Sequence, residues 1–507
     1  MNEPLTFAGL LRGLASRQPD SSFLISSDSG RELTCGRLWQ HCQGLGRQFK
    51  TLGLGTGDKV SVYMPNGELT AVLLLGIMTN GLVANPINLM CQPAQLRHIL
   101  EHSDTRLIFA GREQAGALKA ALREVKRDVR LVVCDPAGDE IPSFALDPAA
   151  GGTMTEPQPG DPALLMYTSG TTGVPKGVLH SHDSLIYNGR CISEAHHLAR
   201  GDRVLGSLPL YHINGLVVTL VAPLVHEGSV VMTPRFSVAS FWTDASRFRC
   251  TWINVVPTII SYLLNEGSDA ATPDLSRLRF CRSASSALAP EHHRAFEKRF
   301  GIGIIETMGL TETAAPAFSN PYEQDDRRIG SIGKPSGTRA MVVGADGKPV
   351  ASWEKGEIIL TGHNVMLGYY KDPERTRDVF TDDGWLRTGD IGHQDEQGYF
   401  YVTGRAKELI IKGGENIAPR EIDEVVIKHP SVLDAAAVGV PHPDYGQDIA
   451  VYLVLRDNAV FDSDALRRHC LSELGKYKTP SKYVVVDELP RGPSGKVQRL
   501  KLLELDA

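Results

Sequence analysis

The chain has 507 residues, too many for one hydrophobic core, which predicts two to four domains or subdomains. Hydrophobic residues make up 42% and charged residues 22%, the balance of an ordinary globular protein. A net charge of -6, with no long run of one sign, points away from nucleic acid and anionic membranes.

The eight cysteines are scattered without a Cys-x-x-Cys pair, which argues against zinc or a disulfide framework and for a reducing, cytoplasmic setting. The first residues lack a basic segment followed by an apolar core, so no signal peptide is expected. The longest apolar stretches, 71–78 and 216–225, are too short to span a bilayer.

Leu5, Phe7, Leu10, Leu11 and Leu14 stand close to helical spacing and predict an amphipathic opening helix. A short strand at 23–25 follows, then helical sequence from about Leu33 to Leu52, ended by Gly53 and Gly55. Strands are expected at 60–63, 82–84, 107–110 and 131–133, with helices over 69–78 and around Leu118 to Leu122. Such alternation implies crossover units and a mostly parallel sheet. Residues 135–162 read as a long connection rich in Gly, Pro, Asp and Thr. The apolar run Ala163-Leu164-Leu165-Met166 is then a buried strand that delivers Tyr167-Thr168-Ser169-Gly170-Thr171-Thr172-Gly173-Val174-Pro175-Lys176-Gly177.

Glycines let that backbone approach a ligand and turn its N–H groups towards an anion, hydroxyls add donors, and Lys176 adds a point charge. The chemistry this suits is a grip on nucleotide phosphates. It is not a Walker A loop, because Pro175 precedes the lysine and Gly177 follows it. Composition alone leaves a plain surface loop as the alternative.

Beyond the loop, Ser181 or Asp183 is placed to cap a helix running through Ile192, and strands are expected at 204–208, 229–232 and 252–256. The strand-like 303–305 leads into Thr307 to Thr313, where Glu312 between hydroxyls suits Mg²⁺ or, equally, a helix cap. From Ile329 to about Val402 short strands with Gly-rich turns make a β-rich section. Within it Thr388-Gly389-Asp390 offers an acid for the two hydroxyls of a ribose, or one that stabilises its own turn. Gly404 to Glu408 is a charged run, and Gly413-Gly414 after an apolar strand predicts a tight hairpin. The last hundred residues read as a compact α+β unit in which Lys496 follows Pro493-Ser494-Gly495 on a loop before a terminal helix.

Together and in this order, these motifs resemble the adenylate-forming superfamily of acyl- and aryl-CoA synthetases, peptide-synthetase adenylation domains and luciferases. The likeness covers nearly the whole chain and includes Pro209 to Leu216 and Gly384 to Asp390. It implies a large N-terminal domain, 1–405, of mostly parallel α/β sheets with a β-rich subdomain, and a small mobile α+β C-terminal domain, 406–507. Members activate a carboxylic acid with Mg-ATP to an acyl-adenylate, and the ligases pass the acyl group to coenzyme A.

Carried onto this chain, the resemblance gives the β- and γ-phosphates to Thr168, Ser169, Gly170, Thr171, Thr172 and Lys176, and the α-phosphate to Thr311. Glu312 would hold Mg²⁺, Asp390 and Arg405 the ribose, and Lys496 the α-phosphate, ribose oxygen and substrate carboxylate. Ser286, Ala287, Met308 and Gly309 complete the nucleotide site. Lys407 matches the hinge about which the small domain rotates, exchanging Lys496 for the loop Lys412, Gly413, Gly414 and Glu415. His212 and Gly215 would border the pantetheine tunnel and, with Arg282, Ser283, Ala314 and Ala315, the acyl pocket.

No acid stands beside His212 to hold an α-amino group, and 234–236, 241–242 and 279–288 are similar to the oxalate-CoA ligase-like group. Ala315 replaces the histidine of the oxalate-type enzymes, which with Ala314 and Ala317 implies a roomier pocket and a larger aromatic, branched or polycyclic acid. Arg282 supports a rival reading, a dicarboxylate, or else makes a structural salt bridge. Met308 stands where most relatives stack a tyrosine on adenine, which leaves open an enzyme fed with preformed acyl-adenylate. Carrier-protein loading and, from other classes, a P-loop phosphotransferase or ATPase and a non-catalytic nucleotide-binding protein are the remaining readings. The expected partners are a small carboxylic acid, ATP and CoA, bound by a monomer or homodimer.

Overall fold

The computed structural model describes residues 6–142, 154–169, 174–265, 273–492 and 496–505. Among these, the strands form four sheets. The core of the nine-stranded sheet is parallel: Ser22–Ser26, Ser229–Met232, Arg203–Gly206, Trp252–Val255, Phe280–Ser283 and Ile304–Leu310 lie side by side in that order. Antiparallel strands occur only at its two ends. The seven-stranded sheet runs parallel from Arg130–Cys134 through Thr105–Gly111, Lys59–Tyr63 and Val83–Pro86 to Pro162–Ser169. It ends in the antiparallel Pro175–Ser181 and Gly368–Tyr369. The expected crossover alternation accounts for this arrangement.

One hydrophobic core serves both sheets, joining Val60, Val62 and Phe109 of one to Trp252, Phe280 and Ile305 of the other. Between them lies the helix Glu68–Thr79, apolar on every side and buried along its whole length, as such a composition requires. Its one acid, Glu68, is neutralised by Arg31 at 2.8 Å.

The β-rich section is a four-stranded antiparallel sheet of Arg339–Val343, Gly356–Thr361, Leu386–Gln394 and Phe400–Arg405. The next strand, Ile410–Lys412, already belongs to the five-stranded sheet of the C-terminal unit. That unit has its own core, with Ile410, Ile422, Val426, Val451 and Leu466. Its turn at Gly413-Gly414 has φ of +54° and +86°, the backbone that a two-residue hairpin needs and glycine supplies without strain.

Several local expectations change. Leu33 is not helical: Glu32–Thr34 pairs with Ser22–Ser26, and Thr34 then caps the helix Cys35–Thr51 by accepting from the Arg37 N–H. Helix Pro93–His102 was not expected; its signals are Pro93 in the first turn and the Gln92–Gln95 capping box. The strand expected to reach Leu208 stops at Gly206, because Asn66 holds the Leu208 carbonyl and the Leu210 N–H in a turn. The apolar stretch after Ile213 forms a π-helix, Asn214–Val221, that passes into the α-turn Ala222–Val225. Among the described residues no helix is long and apolar enough to cross a membrane.

Candidate active site

The strands Pro162–Ser169 and Pro175–Ser181 form a hairpin with Thr168 opposite Lys176 and Ser169 opposite Pro175. The helix Pro93–His102 pins both ends of the loop between them. His102 Nδ1 lies 2.7 Å from the Tyr167 hydroxyl, and His98 Nε2 lies 3.2 Å from the Pro175 carbonyl. Gly170, Thr171 and Thr172 lie outside the described residues. Lys176 Nζ sits 5.1 Å from the centre of the Tyr369 ring. Burial lowers its pKa, Arg375 adds to the effect, and Glu312 opposes it.

Glu312 stands on a one-turn 3₁₀ segment, Thr311–Thr313, between two antiparallel strands. Three side chains brace that turn from beneath. His180 Nε2 donates to the Thr311 carbonyl at 2.6 Å, and Asn188 Nδ2 to the carbonyls of Thr313 and Ala314 at 2.9 and 2.7 Å. Asn364 Nδ2 donates to the Thr313 carbonyl at 3.1 Å. Burial drives the His180 imidazole down to about 4, only partly offset by its bond to Thr311, so it is neutral and its single proton is committed there. Glu312 Oε1 accepts from the Tyr369 hydroxyl at 2.7 Å. Ala314 and Ala315 follow with φ of +53° and +91°, a left-handed backbone that costs non-glycine residues about 1–3 kcal/mol each.

Asp390 faces Arg405 across adjacent strands, and its Oδ1 accepts from Arg405 Nε at 2.8 Å. The residue is only 4% exposed, and its Oδ2 is enclosed without a hydrogen-bond partner among the described residues. Burial raises the Asp390 carboxyl, countered by the charges of Arg405 and Lys496. Asp390 in turn raises Arg405, which also feels Glu408 and Glu312. Lys496 donates to Glu408 Oε1 at 3.2 Å; burial and Arg405 lower its ammonium, while Glu408 and Asp390 hold it up. Lys176, Glu312, Arg405, Asp390 and Lys496, far apart in sequence, therefore share one electrostatic neighbourhood. Exposed Lys407 also contributes charge at Lys176.

A second cluster lies on the strand Phe280–Ser283. Arg282, 1% exposed, donates through Nη1 to Asn214 Oδ1 at 2.8 Å and to Asn254 Oδ1 at 2.7 Å. No carboxylate pairs with it among the described residues. His212 precedes the π-helix with Nε2 enclosed and without a partner among the described residues, and burial pushes its imidazole down to about 4. Gly215 has no room for a side chain, since a Cβ there would stand 2.1 Å from the Pro209 carbonyl oxygen. Ser283 is buried with its hydroxyl unpartnered among the described residues, Ser286 is half-buried and Ala287 exposed. Met308 packs against the core that holds Ala317 and Phe318, and Ala314 and Ala315 are themselves core residues.

The structure does not bring Lys412 to this neighbourhood. Its ammonium is tied to Asp448 at 2.6 Å and to the Tyr477 carbonyl at 3.0 Å, within the C-terminal unit. Gly413, Gly414 and Glu415 beside it are exposed. Tyr369, His180, Asn188 and Asn254 had no place in the sequence reading, because each acts through a register that only the folded sheets create.

The sequence pattern of the AMP-binding enzyme family matches residues 11–370, and that of the AMP-binding enzyme C-terminal domain matches residues 421–496. This chain belongs to the AMP-binding enzyme family. Its relatives in the family include a sulfoacetate–CoA ligase of Cupriavidus necator, 61% identical over 98% of this chain and 97% of the relative. An oxalate–CoA ligase of Arabidopsis thaliana is 33% identical over 97% of both chains. Among solved structures, the anthranilate CoA ligase AuaEII in complex with anthranoyl-AMP superposes with a TM-score of 0.91 at 26% identity, covering 100% of this chain and 98% of that one. The expected superfamily, with its oxalate-CoA ligase-like branch, is thereby established, and this AMP-binding enzyme is a CoA ligase of the adenylate-forming type.

Proposed function

We propose that this AMP-binding enzyme joins sulfoacetate, or a similarly short acid with a second anionic group, to coenzyme A in two half-reactions. The acid's carboxylate attacks the α-phosphorus of ATP, the bond to the bridging oxygen breaks, and pyrophosphate leaves with the acyl-adenylate behind. The CoA thiol, losing its proton, then displaces AMP to form the thioester. The 61% identical relative supports the acid, and the buried cation Arg282 is consistent with a second anionic group.

The observation that carries the adenylation step is the convergence on Asp390. Its enclosed, unpartnered oxygen beside Arg405 and within the field of Lys496 fits a ribose hydroxyl as the missing donor. Thr168 and Lys176 would hold the outer phosphates, with Ser169, Gly170, Thr171 and Thr172 completing the loop. Thr311 would meet the α-phosphate. Lys496 would neutralise the two anions that must collide, which is the main obstacle to the reaction. The donor at Glu312 is a hard carboxylate oxygen beside a phosphate grip, which fits Mg²⁺. That ion would supply charge neutralisation on the phosphates.

For the second half-reaction we assign residues 1–405 and 406–507 as two domains that rotate about Lys407. Sheet membership changes between Arg405 and Ile410, and the C-terminal unit has a core of its own. Rotation would carry Lys496 away and bring Lys412, Gly413, Gly414 and Glu415 towards His212 and Gly215, the hinge type of switch.

Lys496→Ala is expected to lower acid-dependent ATP–pyrophosphate exchange by roughly 10²–10³-fold, the scale of one lost charge-stabilising donor. Thioester formation from synthetic acyl-adenylate should survive. Equal loss of both activities would sink the assigned role. Exchange with free acid by the unaltered enzyme separates this reading from one restricted to preformed acyl-adenylate, and formation of acyl-CoA separates it from carrier-protein loading.

A further inference from the structure

A guanidinium enclosed in protein normally has a carboxylate or phosphate beside it, because an unpaired buried charge is among the most unfavourable arrangements a core can contain. Arg282 departs from that rule. Its described hydrogen-bond partners are two neutral amide oxygens, those of Asn214 and Asn254, and its Nε is enclosed without a partner. Burial pulls the guanidinium down to about 9, still protonated at neutral pH. The neighbouring Cys281 thiol is pushed up by burial and stays neutral. His196, stacked on Phe280 at 5.4 Å, is driven down to about 3 by burial and by Arg282 itself, so it adds no charge of either sign. The positive charge of Arg282 is therefore uncompensated among the described residues.

The same contacts give the charge a direction. Asn214 Oδ1 also accepts from Asn254 Nδ2 at 3.3 Å, so both acceptor contacts fix which way the Asn214 amide faces. Its Nδ2 must then point to the other side, where it donates to Ser285 Oγ at 3.2 Å. Asn214 opens the π-helix two residues after His212, and Ser285 lies in the left-handed region at φ +76° on the turn that follows Ser283. Ile305, the neighbour of Arg282 across the sheet, packs in one core with Ala314 and Ala315. Arg282 is thus linked through the Asn214 amide to Ser285, beside residues assigned above to the acyl side.

We infer that Arg282 is a specificity-determining, positioning residue whose missing counter-charge is the second acid group of the substrate, a sulfonate or carboxylate, engaged through the Asn214–Ser285 side of the network. This rests on the ligase reading above and adds the residue that selects the substrate class. A sulfonate is anionic at any pH at which the enzyme is folded, so its recognition requires a fixed positive charge and not a titrating one. Arg282 meets that requirement.

The test compares sulfoacetate with methylsulfonylacetate, which has nearly the same shape but lacks the second charge, in ATP–pyrophosphate exchange. The unaltered enzyme should favour sulfoacetate in kcat/KM by at least about 100-fold, the scale of a close desolvated charge pair. Arg282→Met should reduce that ratio to below about tenfold, and Arg282→Lys should keep the preference. Proportional loss with both acids in Arg282→Met, or indifference of the unaltered enzyme to the second charge, overturns the assignment while leaving the ligase reading intact. Should Arg282→Met not fold, the unaltered enzyme and Arg282→Lys decide it by the same ratio. If neither acid supports exchange, the ligase reading fails separately. The thermal midpoint then decides: a rise with sulfoacetate and not with methylsulfonylacetate supports the charge site, and equal shifts or none overturn it.

Discussion

Asp390 and Lys496 are the residues at which charge and burial conflict most directly. Burial raises Asp390, and Arg405 and Lys496 hold it back, so its ionised form depends on those two cations. Asp390→Asn should raise the KM for ATP by roughly ten- to a hundredfold, the scale of one lost charged hydrogen bond, with a smaller effect on kcat. An unchanged KM in steady-state kinetics would contradict a contact with the nucleotide. Lys496 lies below the ordinary 10.5 of a lysine because burial and Arg405 disfavour its charge. Its protonated form is the one that neutralises phosphate. Acid-dependent exchange should therefore fall as pH rises, with a basic limb beginning below 10.5, and Lys496→Arg should move that limb upward. At this scale the sequence offered Lys176, Glu312 and Asp390 as candidates, because each sits in a short local motif whose residue types suit phosphate, metal or ribose, whereas Arg405 and Lys496 became candidates only through the family resemblance. Arg282 was legible as a candidate, but whether it lacked a carboxylate partner depends on strands that only the fold brings alongside.

At the scale of elements, the turn carrying Glu312 depends on groups that no local pattern reveals. Asn188, on the helix His182–Ala195, satisfies two buried carbonyls at once. Asn188→Leu should destabilise the protein by about 1–3 kcal/mol for the Ala314 carbonyl left without this donor, since Asn364 still serves Thr313, read by denaturant unfolding. It should also weaken Mg²⁺-dependent exchange more than thioester formation from acyl-adenylate. The Gly413-Gly414 hairpin offers the reverse separation. Gly414→Val would force φ near +86° on a β-branched residue and should slow thioester formation at least about tenfold, with exchange preserved. Equal loss in both assays would remove the hairpin from the CoA step. Element boundaries were legible where periodicity was strong, as in Cys35–Thr51 and Ser229–Met232, and failed where an extended residue paired at a sheet edge, as Leu33 does.

At the scale of the whole molecule, buried neutral histidines set the response to acid. His180, His182, His212 and His226 are pushed by burial to about 4, and His196 to about 3. An unfolded histidine titrates near 6.5. The folded chain therefore binds fewer protons below that value, and the stabilisation present above pH 6.5 is lost as pH falls towards the folded values, by up to ~1.4 kcal/mol per pH unit for each group. The thermal midpoint should fall steadily from pH 7 to pH 5. A flat profile would mean that these rings accept protons without unfolding. A mostly parallel arrangement was legible from the alternation of strands and helices, but not its division into two sheets. The shared core was not, because nothing in a single apolar run shows which other run it will meet.

The π-helix at Asn214–Val221 has a consequence for chain length. A wide turn accommodates one residue more than an α-helix of the same rise, so this segment holds a surplus residue where the chain passes His212 and Asn214. Elsewhere in a buried helix, deleting a residue turns everything beyond it by about 100° and scrambles the core. Here, removing one valine from 217–218 lets the backbone relax to an ordinary α-turn while Ala222–Val225 keeps its packing. Such a shortened chain should fold with a thermal midpoint close to the original, yet misalign the Asn214 amide and lose its choice of acid. By this reading one surplus backbone residue, rather than any single side chain, governs the choice of acid.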